Sequence, residues 1–150
     1  MSIKWACSAV DHLVASEETA SAEETEALGA RLAEKLAPGD VVLVRGELGV
    51  GKTTLIRGAA RALGVEGPVT SPTFTIGQRY EGHIPISHLD LYRLGETGLA
   101  TEEPALLDDY LTPDTVAFIE WPDAAEPGLD RVALSIEISH AGEDRRRVSY

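Results

Sequence analysis

Gly46-Glu47-Leu48-Gly49-Val50-Gly51-Lys52-Thr53 stands between an unbroken apolar run, Val41-Val42-Leu43-Val44, and a helix-forming stretch, Thr54 to Leu63. It matches G-x-x-x-x-G-K-[ST] in full, in the strand-to-helix context that a phosphate-cradling loop requires. Gly46, Gly49 and Gly51 let the backbone turn so that successive N–H groups converge on an anion. The helix that follows opens with unpaired N–H groups and the positive end of its dipole. Lys52 adds a mobile charge for the outer phosphates, and Thr53 a hydroxyl for magnesium. The run before the loop has the continuous apolar character of a strand buried on both faces. The stretch after it predicts a helix with Leu55, Ala59, Ala62 and Leu63 inward. These residues predict a nucleoside triphosphate binder.

Working outward from the loop, Ser21 and Glu24 have capping-box spacing and open a helix carrying Leu28, Leu32 and Leu36 on one face, closed by Pro38-Gly39. Val10 to Val14 is read as a short strand. Downstream, Ser71-Pro72-Thr73-Phe74 favours an irregular segment. Thr75 to Tyr80 and Ile84 to Leu89 read as strands joined through Glu81-Gly82-His83, a connection so short that it implies an antiparallel hairpin. Gly95 to Thr101 reads as a loop, and Glu103 to Leu111 as a short helix with Pro104 in its first turn. Thr115 to Ile119 is a second buried strand, ending at Glu120. Val132, Leu134, Ile136 and Ile138 alternate along a last long strand, which turns at Ala141 to Asp144 and pairs with Arg145 to Tyr150. The expected fold class is α/β: a P-loop NTPase fold with a mixed, partly antiparallel central sheet flanked by helices.

The 150 residues fit one domain, 1–150, able to bury a core without disulfides. Lys and Arg number 13 against 25 Asp and Glu, a net charge of -12. Such a surface disfavours unaided binding to a nucleic-acid backbone, so any role in a nucleic-acid pathway is expected to run through a protein partner. Cys7 is the single cysteine and has no internal disulfide partner. No leader-like start and no bilayer-length apolar run is present, and the expectation is a cytoplasmic protein without membrane contact.

A phosphate loop needs an acidic partner for magnesium, usually at the end of a neighbouring strand. Val116-Ala117-Phe118-Ile119-Glu120 is an apolar strand ending in a carboxylate, the form of a Walker-B element with glutamate in place of aspartate. Asp90 closes the hairpin strand beyond His88 and is the second candidate. His88 itself reads as a hydrogen-bonded structural residue. Trp121 suits a cap over nucleotide or a partner surface, or simple packing. Arg93 and the Arg145-Arg146-Arg147 cluster are the arginines available for phosphate or partner.

Taken together, the phosphate loop, Ser71-Pro72-Thr73-Phe74, His88-Leu89-Asp90-Leu91-Tyr92-Arg93-Leu94 and Ile119-Glu120-Trp121-Pro122 resemble, in order and spacing, the bacterial TsaE (YjeE) family. Thr25, Leu28-Gly29 and Pro38-Gly39-Asp40 are similar to that family's first helix and its exit. The resemblance implies an ATPase that uses ATP and Mg2+ and supports TsaB and TsaD in forming threonylcarbamoyladenosine beside the anticodon of tRNA, which is contacted mainly through those partners. It implies that Lys52 holds phosphates, that Thr53 and Glu120 hold magnesium, and that Asp90 acts at the metal or the attacking water. Ser71 to Phe74 becomes a switch-like segment and Trp121 a neighbour of the nucleotide. Lys52, Asp90 and Glu120 are thus the expected catalytic set. Gly46, Leu48, Gly49, Val50, Gly51, Lys52, Thr53, Thr54 and Trp121 are the expected nucleotide contacts.

Two other classes compete with this reading. A small-molecule kinase needs an acceptor pocket and lid arginines, and the arginine-rich stretch here lies at the chain's end. A nucleotide-sensing module differs only in not turning its ligand over. A GTPase is less favoured still, since the chain contains no asparagine and so no Asn-Lys-x-Asp motif, and Asp90-Leu91-Tyr92-Arg93 lacks the glycine of a D-x-x-G switch. With no evident internal arginine finger, hydrolysis is expected to be slow and dependent on assembly with partners.

Overall fold

The apolar run before the glycine loop becomes the middle strand of a seven-stranded sheet. A computed structural model describes residues 15–72, 76–92, 105–124, 129 and 131–150. In chain order, β1 (Ser16–Thr19) leads into α1 (Ala22–Ala33), and β2 (Val41–Gly46) feeds the loop and α2 (Lys52–Ala62). The hairpin strands β3 (Gly77–Tyr80) and β4 (Ile86–Asp90) follow, then a short α3 (Ala105–Asp108) and β5 (Val116–Glu120). A 3-10 turn at Pro122–Ala124, β6 (Val132–His140) and β7 (Arg146–Ser149) complete the described elements.

The spatial order is β1-β7-β6-β2-β5-β4-β3. β6, β2, β5 and β4 run parallel, while β3, β7 and β1 are added antiparallel at the margins. The mixed sheet expected from the sequence is therefore present. Side chains of β2 alternate between two cores, as the twofold strand period dictates. Val42 and Val44 join Leu55, Ile56, Phe118 and Ile136 on one face, and Val41 and Leu43 join Leu89, Leu91 and Ile119 on the other. With both faces covered, the strand needs no polar alternation.

α1 begins as its sequence indicates. Ser21 Oγ accepts from Glu24 N at 3.1 Å, and Glu24 Oε1 accepts from Ala20 N at 2.8 Å, so donors left over at the helix start are satisfied from both sides. α1 crosses α2 at two glycines. A Cβ on Gly29 would stand 2.1 Å from Leu55 O, and one on Gly58 only 1.9 Å from Glu26 O, so the helices touch backbone to backbone. Glu26 adds ion pairs to Arg57 at 3.4 Å and Arg61 at 3.3 Å across the same crossing.

Several local expectations are corrected. α2 begins at Lys52 rather than Thr54, which puts Lys52 and Thr53 in its first turn. Ala62 is exposed, because the buried stripe runs through Leu55, Ile56, Ala59, Ala60 and Leu63 and leaves Ala62 at its edge. Val132 does not share a face with Leu134, Ile136 and Ile138. The β2–β6 register shifts between Val41 and Val42, so Ala133 is an extra residue and Val132 turns to the opposite core. β4 starts at Ile86, one residue after Pro85. β1, unexpected from its Ser-Glu-Glu-Thr sequence, pairs with β7 from Ser16↔Ser149 to Thr19↔Arg146. The expected strand 10–14, the loop 95–101, Thr73 to Thr75, Arg93 and the Glu103-Pro104 helix start lie outside the described residues.

Candidate phosphate-loop site

The site lies where β2, β5 and β4 end at the carboxyl edge of the parallel sheet. After Gly46 the chain turns through Gly49 at φ 75° and Gly51 at φ 116°, conformations that side chains resist. At neither glycine would a Cβ meet an atom within 4 Å, so backbone conformation and not crowding requires glycine there. Gly51 caps α2 without a side-chain bond, which leaves the amides of the first turn to other partners.

Lys52 is 4% exposed. Its Nζ donates to Gly46 O at 2.7 Å and Glu47 O at 2.8 Å, and lies 4.6 Å from the centroid of the Trp121 ring. Burial pulls the ammonium below the usual lysine range, against the opposing pull of Glu120 and Asp90. Trp121 has left-handed backbone at φ 55°, a strained conformation for a large side chain. Its ring contacts both Lys52 and Tyr92, the latter with its centroid 4.9 Å away at a 58° tilt.

Thr53, in the next position of the helix, faces the sheet. Its Oγ1 donates to Glu120 Oε2 at 3.0 Å and lies 2.7 Å from Ser71 Oγ. Glu120, 3% exposed at the end of β5, also accepts from His88 Nε2 at 2.6 Å. His88 is completely buried, and its Nδ1 has no partner among the described residues. Asp90 is the cross-strand neighbour of Glu120, and its Oδ1 accepts from Tyr92 N at 3.1 Å. Burial raises Asp90 above the usual carboxylate range, opposed by the Tyr92 N–H and reinforced by the charge of Glu120.

This geometry brings Lys52, Thr53, Asp90, Glu120 and Trp121 together from three separate stretches of sequence. Among the described residues no three carboxylate, imidazole or thiol groups form a ready-made metal cluster. The pair of hard oxygens on Thr53 and Glu120 suits magnesium, which keeps several waters and takes further ligands from phosphates.

A cleft of about 400 Å³ opens on the other side of the loop, lined by Ser21, Thr25, Val50, Thr54, Asp144 and Arg146 among others. Arg146 Nε donates to Val50 O at 2.7 Å and so braces the loop. Of the three consecutive arginines, Arg146 is the one in the cleft, whereas Arg147 pairs with Glu18 at 2.8 Å. Leu48 projects outward at 65% exposure. Sequence reasoning missed the cleft contribution of Ser21 and Thr25, which carry only a capping signal. His88, read as a hydrogen-bonded structural residue, is one, and its partner is Glu120.

An α/β sheet with a glycine loop, its lysine and an acid at the end of the adjacent parallel strand defines the class of P-loop proteins. Residues 19–148 match the family described as "Threonylcarbamoyl adenosine biosynthesis protein TsaE". The chain belongs to the TsaE family. It is 38% identical to the tRNA threonylcarbamoyladenosine biosynthesis protein TsaE of Bacillus subtilis, over 88% of this chain and 82% of the relative. The protein of that name from Streptomyces coelicolor is 43% identical over 78% of this chain and 80% of its own. The crystal structure of Bacillus subtilis YdiB superposes with a TM-score of 0.73 at 36% identity, covering 90% of this chain and 82% of that one. No helix among the described residues is long and apolar enough to cross a membrane.

Proposed function

We propose that this chain is a magnesium-dependent ATPase of threonylcarbamoyladenosine formation, acting in the cytoplasm with TsaB and TsaD and reaching tRNA mainly through them. The observation that carries the ATPase reading is the 3.0 Å contact of Thr53 Oγ1 with Glu120 Oε2, which joins the phosphate-loop helix to the acid of the neighbouring strand. Family membership supports the pathway, and the net charge of -12 supports an indirect route to tRNA.

The loop amides and Lys52 bind the phosphate tail, with the lysine exchanging its carbonyl partners for phosphate oxygens. Thr53 and Glu120 would hold magnesium, which supplies charge compensation to the phosphates when bound. Asp90, made more basic by burial, orients the attacking water and accepts its proton, or assists at the metal. Trp121 shields the lysine side of the site. The cleft beside Thr54 and Arg146 receives the nucleoside end.

Phosphate release by the isolated chain, and by the chain with TsaB and TsaD, tests the reading. Magnesium-dependent release that the pair stimulates is expected. Equal rates in both would remove partner activation, and transfer of phosphate to a metabolite would replace the ATPase with a kinase.

A further inference from the structure

We infer that His88 is a positioning residue that fixes the Glu120 carboxylate for magnesium; the inference rests on the ATPase reading for what that carboxylate holds. The contact is close, with Nε2 2.6 Å from Oε2, against 3.0 Å for the bond from Thr53. A carboxylate can only accept, so the hydrogen sits on Nε2.

The two donors to Oε2 are not equivalent. Thr53 Oγ1 is bonded to Ser71 Oγ as well as to Glu120, and either hydroxyl can donate between the two. Thr53 is also expected at the metal and follows any adjustment there. Among the described residues the imidazole donates to Glu120 alone, from within the sheet. Its backbone is in register with Phe118 on β5 and Gln78 on β3, and its ring is 0% exposed. His88 therefore provides the contact that packing holds in place.

The bare Nδ1 points the same way. Buried polar atoms ordinarily find a partner, whereas Nδ1 has none among the described residues. The ring's hydrogen bonding is committed to Glu120. A partner that orients a metal-bearing carboxylate is worth about 10- to 100-fold in metal affinity.

Calorimetry of ATP binding to the whole chain, in EDTA and at increasing magnesium, tests the inference on H88L, H88Q and H88N. Gln places an amide nitrogen near the position of Nε2, whereas Asn places one near Nδ1. Thermal unfolding in EDTA identifies the folded variants. For H88L, ATP binding in EDTA stays as in the unsubstituted chain, while the magnesium needed for half its effect rises by about 10- to 100-fold. H88Q recovers most of the loss and H88N does not. If H88L fails to fold, the contrast between H88Q and H88N decides. An unchanged magnesium requirement in H88L, or equal behaviour of H88Q and H88N, would overturn the role of His88 alone. Indifference of the unsubstituted chain to magnesium would overturn the ATPase reading as well.

Discussion

Asp90 and Glu120 are cross-strand partners at the carboxyl ends of β4 and β5, so the parallel sheet itself sets two carboxylates side by side. Burial is the larger reason that Asp90 holds its proton unusually well, and the neighbouring charge adds to it. Between the ordinary carboxylate pKa and the raised one, the folded chain binds more protons than the unfolded chain. Stability contributed by Asp90 is therefore lost as pH rises through that window. Asp90→Asn, which cannot ionise, is expected to be more stable than the parent at neutral pH in EDTA. The advantage shrinks as pH falls through the raised pKa. Urea midpoints across pH measure it, and a pH-independent difference would contradict the assignment.

Lys52→Ala and Glu120→Gln separate binding from turnover. Removing a charged donor to phosphate costs about 1.5–3 kcal/mol, so Lys52→Ala should weaken ATP binding about 10- to 100-fold. Glu120→Gln keeps the shape but loses the charge, and should leave binding in EDTA near normal while abolishing most magnesium-dependent hydrolysis. Equilibrium titration and phosphate release report the two effects. Hydrolysis retained by the glutamine variant would remove Glu120 from the metal.

Adjacent arginines should behave differently. Arg146 braces Val50 O and lines the cleft, whereas Arg147 makes an exposed pair with Glu18. Arg146→Ala should raise the dissociation constant for ATP several-fold through loss of a charged hydrogen bond, and Arg147→Ala should leave it unchanged. Equal losses in both would show a general charge effect rather than a brace.

At the helix crossing, Gly58→Ala forces a methyl to within 1.9 Å of Glu26 O unless the helices part. Overpacking of this kind costs about 1–3 kcal/mol, read as a lower urea midpoint. A midpoint equal to the parent's would mean that the crossing yields freely.

The parallel centre of the fold was legible because its signals are local: β2 is uniformly apolar, the loop carries its glycines, and β5 ends in Glu120. Ser21 and Glu24 likewise announce α1. β1 was not legible, since Ser16 to Thr19 has no apolar face and is a strand through its pairing with β7. Val132 was misplaced because a register shift depends on the partner strand and breaks the alternation without marking the sequence. At the site, residue types indicated Lys52, Thr53, Asp90 and Glu120, but the bonds from Thr53 to Ser71 and to Glu120 span 18 and 67 positions. The link from His88 to Glu120 needs β4 and β5 to be neighbours, and the cleft needs the starts of α1 and α2 to converge.

That convergence gives the direct contact of Gly29 and Gly58 with the facing helix backbone a consequence at the site. No long side chains lie between the helices at these points to act as bearings, so their leading ends form a single stiff jaw, one edge carrying Ser21 and Thr25, the other Gly49 to Thr54. A ligand meets a wall already assembled, and little of its affinity is consumed in ordering that wall.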